Sequence, residues 1–214
     1  MVECLYIILA YLIGAIPFGY LAGKLRGIDL REHGSKNIGA TNAVRVLGKK
    51  WGIPVFICDF LKGYLPLLFM AHHLGGDVTQ FSAGMMGCYL GVLFALVLGH
   101  TFTCYLNFKG GKGVATTGGC LFAVSPLIGG AALLTWVLMM VLTRYVSLSS
   151  MAAGVAMMIA AAYVFCSDCA VSVADIMILS LLFLILALVV WKHRSNIVRL
   201  CNGTEPKAFS KKSL

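Results

Sequence analysis

Charge is scarce in this chain. Only 12% of its 214 residues are Asp, Glu, Lys or Arg, where soluble globular proteins carry roughly a quarter. Apolar residues make up 60%, more than a water-exposed chain of this length can bury, so lipid is its solvent. Disordered, collagen-like and small disulfide-stapled chains are excluded by the same figures. Acidic residues are scarcer still, eight against seventeen Lys and Arg, for a net charge of +9. No recognised nucleic-acid motif accompanies the basic residues, and neither a long internal repeat nor a low-complexity segment is present. The eight cysteines lie mostly alone in apolar runs, as small core residues do. Cys166 and Cys169 form a C-x-x-C, read as two plain thiols or as a disulfide outside the cell. Without a second Cys or His pair at zinc spacing, no metal is called for.

What the chain does have is apolar runs long enough to cross a bilayer, about 20 residues each. They fall at 2–21, 51–71, 81–99, 114–124, 127–142, 148–165 and 173–191. The first lacks a small-residue cleavage site after it and reads as an anchor, not a signal peptide. The fourth and fifth, split only by Ser125-Pro126, are either one broken helix or two spans with a tight turn. Counting charge decides for two. With seven spans, segments 24–50, 100–113, 143–147 and 192–214 share one side and hold sixteen of the seventeen Lys and Arg. The other side then holds Glu3, Asp77, Asp168 and Asp175. With six spans the cationic tail would face outward, against the positive-inside rule. The expected fold is therefore an all-α integral membrane protein, a single polytopic domain over 1–214. It has seven transmembrane helices, the N-terminus outside and the C-terminus cytoplasmic. The fourth span is the weak one, since 11 residues rise only about 17 Å.

The cytoplasmic segments 24–50, 100–113 and 192–207 are unusually rich in chemistry. The first contains Gly34-Ser35-Lys36-Asn37-Ile38-Gly39-Ala40-Thr41-Asn42, with Arg45 at the start of a short helix. Its uncharged hydrogen-bonding groups suit a polyhydroxylated phosphate; the plain alternative is a loop whose Ser and Asn cap the next helix. The second contains His100-Thr101-Phe102 and then Lys109-Gly110-Gly111-Lys112-Gly113 before a helix start. Glycines that let backbone N–H groups converge, lysines, and a helix N-terminus together suit a phosphate. The spacing is not that of a Walker A loop, and the plain alternative is a flexible basic turn. In the third, His193 and Asn196 share a face if the last helix continues, as a base and its orienting partner or as an interfacial anchor. Asp59 and Lys62, spaced i, i+3 inside the second span, can pair there. The H-x-x-x-x-D run from His72 to Asp77 lies on the opposite side from these segments and reads as coincidence.

At these three segments the sequence closely resembles the bacterial acyl-phosphate-dependent glycerol-3-phosphate acyltransferases, the PlsY family. The resemblance runs over the whole chain. It includes Gly14-Ala15-Ile16-Pro17-Phe18-Gly19, the block at 34–42, Phe108 to Thr116, and H-x-x-N-I-x-R-L followed by G-x-E-P-K at 193–207. It implies transfer of a fatty acyl group from acyl phosphate to the 1-hydroxyl of glycerol 3-phosphate, giving lysophosphatidic acid and phosphate. The implied setting is the bacterial inner membrane, with the active site facing the cytoplasm. No cofactor, nucleic acid or obligate protein partner is implied; the partners are the two substrates and membrane lipid.

Carried over residue by residue, the resemblance places Ser35, Arg45, Lys109 or Lys112, His193 and Asn196 around glycerol 3-phosphate. It gives the acyl phosphate to the backbone of Gly110, Gly111 and Gly113, with Asn37, Gly39, Thr41 and Thr116. Either His193 or the leaving phosphate takes the hydroxyl proton, and the cations around His193 favour the phosphate. A transporter for a phosphorylated metabolite would instead place polar groups near the bilayer midplane. A purely structural membrane protein would leave the Gly, Ser and Asn density unexplained.

Overall fold

The protein is described by a computed structural model covering residues 2–76, 78–166 and 171–208. Cys169, Asp77 and Asp168 lie outside these residues, so the C-x-x-C and H-x-x-x-x-D readings fall partly outside them too. The described residues form ten α-helices and no strand. They divide into two compact units, Met1–Val124 and Ser125–Leu214.

The first unit holds α1 (Val2–Ala15), α2 (Phe18–Leu25), α3 (Ala40–Leu47), α4 (Lys49–His73), α5 (Ala83–Thr101) and α6 (Val114–Val124). Its hub is α4, which packs against each of the other five. Bare backbone makes the closest crossings. A Cβ on Gly63 of α4 would run into the Thr116 carbonyl of α6, and one on Gly119 into that of Phe60. Gly14 and Gly99 bring α1 and α5 together in the same way. Lipid tails are as apolar as leucine, so close backbone approach rather than apolar burial drives such pairs.

Pro17, which has no N–H to continue the ladder, divides the first apolar run into α1 and α2. The carbonyls released at this break have partners. Thr103 Oγ1 donates to Ala15 O at 2.6 Å, and Lys62 Nζ donates to Ile16 O at 2.8 Å. Tyr11 adds a third tie, donating to Phe102 O at 2.7 Å.

The second unit holds α7 (Pro126–Thr143), α8 (Val146–Cys166), α9 (Val173–Lys192) and α10 (Arg194–Cys201). Extended Ser125 and Pro126 at the first turn separate α6 from α7 as two helices. Arg144, left-handed at φ 62°, ends α7. A capping box starts α9: Asp175 N–H donates to Ser172 Oγ and Ser172 N–H to Asp175 Oδ2.

Among the described residues, six helical stretches are long and apolar enough to cross a membrane, while Val114–Val124 is shorter. Helices α4, α7 and α8 run one or two residues beyond the apolar runs at their ends, because polar end residues still make ladder bonds, whereas α5 is shifted two residues toward the C-terminus. Leu134, Val141, Leu142 and Ile159 are all more than two-thirds exposed, a surface suited to lipid and not to water.

Candidate functional site: a cationic recess and a carboxylate clamp on Asn196

The first motif segment is folded around one side chain. Asn42 is buried, and its amide nitrogen donates to the carbonyls of Leu30, His33 and Asn37 at 2.8–3.1 Å. Its Oδ1 accepts the Ser35 N–H at 2.8 Å. Gly34, at φ 62°, lies so close to Asn42 Oδ1 that a Cβ could not fit. Asn37 Oδ1 accepts the Gly39 N–H at 2.8 Å, closing a second small turn. Ser35 and Thr41 stay exposed. The helix that follows is capped by Gly39 without a side-chain bond, and Arg45 falls in its last turn rather than at its start. The Ser and Asn residues therefore shape the loop instead of capping α3.

Beside this loop lies a recess of about 420 Å³ lined by Arg31, Glu32, Lys36, Ile38, Lys109 and Gly110. Three cations face one carboxylate there. Arg31 is held in place by Asp29, with Nη2 at 2.6 Å from Oδ2, and its guanidinium sits 4.7 Å from the Tyr20 ring centre. The Arg31 hydrogen bonds hold the Asp29 carboxyl down at about 2, so the pair stays charged at any physiological pH.

Lys109 to Gly113 form the second motif loop. Gly113 adopts φ 82° to enter α6. Gly111 donates its N–H to His100 O at 2.9 Å, so its contribution to the loop is its missing side chain and not a free N–H. In the first turn of α6, Thr116 and Thr117 bury hydroxyls that have no hydrogen-bond partner among the described residues. An 11-residue helix beginning with such hydroxyls has the donors and dipole that an anion favours.

Directly against this loop is a buried ionic cluster. Lys62 Nζ stands 2.7 Å from Asp59 Oδ1, and His100 Nδ1 is 3.5 Å from the same oxygen. All three side chains are at most 6% exposed. The i, i+3 pairing expected for Asp59 and Lys62 is present, and His100 joins it from α5.

In the second unit, His193 sits at the joint between α9 and α10. Its Nδ1 donates to Val189 O at 2.8 Å. A carbonyl can only accept, so the proton on Nδ1 is fixed and Nε2 is the acceptor of the neutral ring. Asn196, three residues on in α10, donates its amide to Glu205 Oε1 at 2.7 Å. Ser147 Oγ donates to the same oxygen at 2.7 Å, and Arg199 Nε reaches Oε2 at 2.7 Å. Burial alone would raise the Glu205 pKa, but these three donors outweigh it and hold the carboxyl below its usual value.

The expected site residues thus divide between the units. Ser35, Asn37, Gly39, Thr41, Arg45, Lys109 to Gly113 and Thr116 lie in the first, and His193 and Asn196 in the second. Sequence reasoning missed Glu205, His100, Arg31 and Lys36 as parts of these constellations. Glu205 carried a signal, being the lone acid in a strongly basic terminal segment.

Helices that expose apolar faces define a multi-pass membrane protein, and the two first-unit segments that line a cationic recess suit a phosphorylated ligand. Comparison with known proteins makes this specific. The family profile described as glycerol-3-phosphate acyltransferase matches residues 4–203. The Bacillus subtilis glycerol-3-phosphate acyltransferase is 43% identical over 210 residues, covering 97% of this chain and 98% of that protein. The Aquifex aeolicus enzyme is 42% identical over 201 residues, 93% and 95% of the two chains. Among solved structures, two of PlsY, an integral membrane glycerol 3-phosphate acyltransferase, are similar to this chain. Its glycerol 3-phosphate form gives a TM-score of 0.84 at 40% identity, covering 97% of this chain and 96% of that one. Its lysophosphatidic acid form gives 0.82 at 39%, covering 97% and 95%. The chain belongs to the glycerol-3-phosphate acyltransferase (PlsY) family.

Proposed function

We propose that this protein transfers a fatty acyl group from acyl phosphate to the 1-hydroxyl of glycerol 3-phosphate at the cytoplasmic face of a bacterial inner membrane. The hydroxyl oxygen bonds to the acyl carbon, the bond from that carbon to the phosphate oxygen breaks, and lysophosphatidic acid and inorganic phosphate leave. Acyl phosphate is a mixed anhydride, so its carbonyl is already activated and the reaction needs neither a metal nor an acyl-enzyme. What the chain must supply is placement of two phosphates and stabilisation of the oxyanion.

The observation that carries this reading is the glycine–lysine loop at the α6 N-terminus with its two buried, unpartnered threonine hydroxyls. Gly110, Gly111 and Gly113, with Asn37, Gly39, Thr41 and Thr116, take the acyl phosphate; Gly111 and Gly39 serve by close backbone approach, since their N–H groups are held by the His100 carbonyl and Asn37 Oδ1. Ser35, Arg45 and Lys109 or Lys112, with His193 and Asn196, take glycerol 3-phosphate, an assignment supported by the match to the family's residue pattern. The leaving phosphate accepts the hydroxyl proton, while His193 orients the hydroxyl. In favour of this division, the Nδ1 side of His193 is backed by the neutral Val189 carbonyl, whereas a catalytic imidazole base is typically backed by a carboxylate.

The topology proposed with it has seven spans, the N-terminus outside and the C-terminus inside, in one domain. Its support is the charge asymmetry of the connecting segments. Purified protein given palmitoyl phosphate and glycerol 3-phosphate should release inorganic phosphate, and acyl-CoA or acyl carrier protein should not replace the acyl phosphate. Turnover with a thioester donor alone would overturn the donor assignment. For topology, a cysteine placed beside Asn37 should be labelled only from the cytoplasmic side.

A further inference from the structure

One buried cluster has no part in the chemistry above. Asp59, Lys62 and His100 come from α4 and α5, and ionic groups at this depth are costly unless they serve something. Two of their contacts say what. Lys62 Nζ ties Asp59 to the Ile16 carbonyl at the α1–α2 break, at 2.7 and 2.8 Å. On the other side, His100 lies directly under the glycine loop. Its carbonyl accepts the Gly111 N–H at 2.9 Å. Its ring fills the space a Cβ on Gly111 would need, with Nε2 as the colliding atom, and a Cβ on Gly110 would strike the His100 carbonyl. Gly110 and Gly111 are thus glycines because the histidine stands behind them.

We propose that Asp59, Lys62 and His100 act as positioning residues: the ion pair locks the His100 imidazole, and the imidazole sets the height of the Lys109–Gly113 backbone against which the acyl donor's phosphate rests. This builds on the reading of that loop as the acyl phosphate cradle. The carboxylate accepts from Lys62 and faces the His100 Nδ1 side, so it fixes the ring's orientation as a carboxylate behind a metal-ligating histidine does. Lys62 in turn fixes the carboxylate. His100 touches no reacting atom in this scheme; it works through the loop.

The test is reciprocal. His100→Ala should raise the KM for palmitoyl phosphate about ten- to a hundredfold, the scale of an ångström misplacement, and raise the KM for glycerol 3-phosphate by less, because only one lysine of the moved loop serves that substrate. His100→Gln, whose amide reaches the place of Nε2 beneath Gly111, should recover part of that loss. Gly111→Ala alone should be as damaged as His100→Ala. Combining the two should bring the KM back toward wild type, because the new methyl enters the space left by the ring. Tryptic cleavage after Lys109 and Lys112 in the detergent-purified protein reports loop position without any substrate. It should accelerate in each single variant and slow again in the pair. Losses that multiply in the double variant, or a His100→Ala protein with wild-type KM and cleavage rate, would overturn the positioning role. If the wild type releases no phosphate from palmitoyl phosphate, the donor assignment falls, and the cleavage pattern alone then decides whether His100 sets the loop.

Discussion

Replacing Glu205 tests how the second unit holds Asn196. One carboxylate accepts three bonds of 2.7 Å, from Asn196, Ser147 and Arg199. Its side chain is 7% exposed, while that of Arg199 is 37% exposed. A hydrogen bond to a charged group contributes about 1.5–3 kcal/mol, and the Arg199 partner must be discounted for solvent screening. Because the three share one acceptor and do not add, Glu205→Ala should cost about 3–4 kcal/mol. For a chain of this size that lowers the melting temperature by on the order of 10 °C. Glu205→Gln keeps an oxygen for Asn196 and Ser147 but turns an amide toward Arg199, so it should lose only about 1 kcal/mol.

Activity should follow orientation and not bulk stability. Measured well below both melting points, kcat/KM for glycerol 3-phosphate should fall about a hundredfold in Glu205→Ala and only a few-fold in Glu205→Gln. The pH dependence has a definite sign. The folded carboxyl titrates below its usual 4.5, so its contribution to stability is complete above that value and is lost as the pH falls through the folded pKa. Wild-type melting should therefore drop below about pH 4.5 more steeply than that of Glu205→Gln. A Glu205→Ala protein that melts early yet keeps full kcat/KM would refute the link between this clamp and Asn196.

Other substitutions have equally definite expectations. Arg45→Ala should chiefly raise the KM for glycerol 3-phosphate in steady-state assays, and a pure kcat defect would contradict its phosphate role. His193→Gln should lose only modest activity if the leaving phosphate takes the proton; a drop of several orders of magnitude in kcat at unchanged affinity would make His193 the base. Gly113→Ala forces φ 82° on a residue with a Cβ that stands 3.2 Å from Thr101 Oγ1. It should cost about 1–2 kcal/mol in thermal unfolding. Gly119→Leu drives a side chain into the Phe60 carbonyl at the α4–α6 crossing, and size-exclusion profiles in detergent should show aggregation or loss of the folded peak.

The apolar runs made most of the helices legible, since length and hydropathy alone mark a spanning segment. Val114–Val124 is legible to the residue because Lys112-Gly113 and Ser125 bound it. The break at Pro17 was missed: a single proline inside an apolar run is compatible with a kink or a stop, and the bonds from Thr103 and Lys62 that settle it come from distant parts of the chain. Likewise the Asp59–Lys62 pair was readable from its i, i+3 spacing, whereas His100 is 38 or more positions away. Glycine density announced the loop at 109–113, but that Gly111 is held by His100 depends on packing no local pattern encodes. Asn37 and Asn42 show the same limit, their donor and acceptor groups having turned out to shape the loop itself.

The shortness of α6 follows from the same packing. Its 11 residues rise about 17 Å, far short of a hydrocarbon core about 30 Å thick. On the seven-span topology, loop backbone must cover the remainder. The loop rests on His100, and His100 on Asp59, which stands ten residues into α4, or about 15 Å along its axis. Irregular backbone at membrane depth is tolerated where protein buries it, and here α4, α5 and the ionic cluster do so. On the proposed donor assignment, a loop recessed this far lets an acyl tail stay among lipid while its phosphate meets the lysines and the α6 N-terminus. A full-length sixth helix would have placed the same phosphate in hydrocarbon or the carbonyl in water. The short helix and the buried Asp59–Lys62–His100 cluster are therefore two parts of one requirement, and lengthening α6 by a turn of leucine and alanine should abolish acyl phosphate turnover while leaving the protein folded.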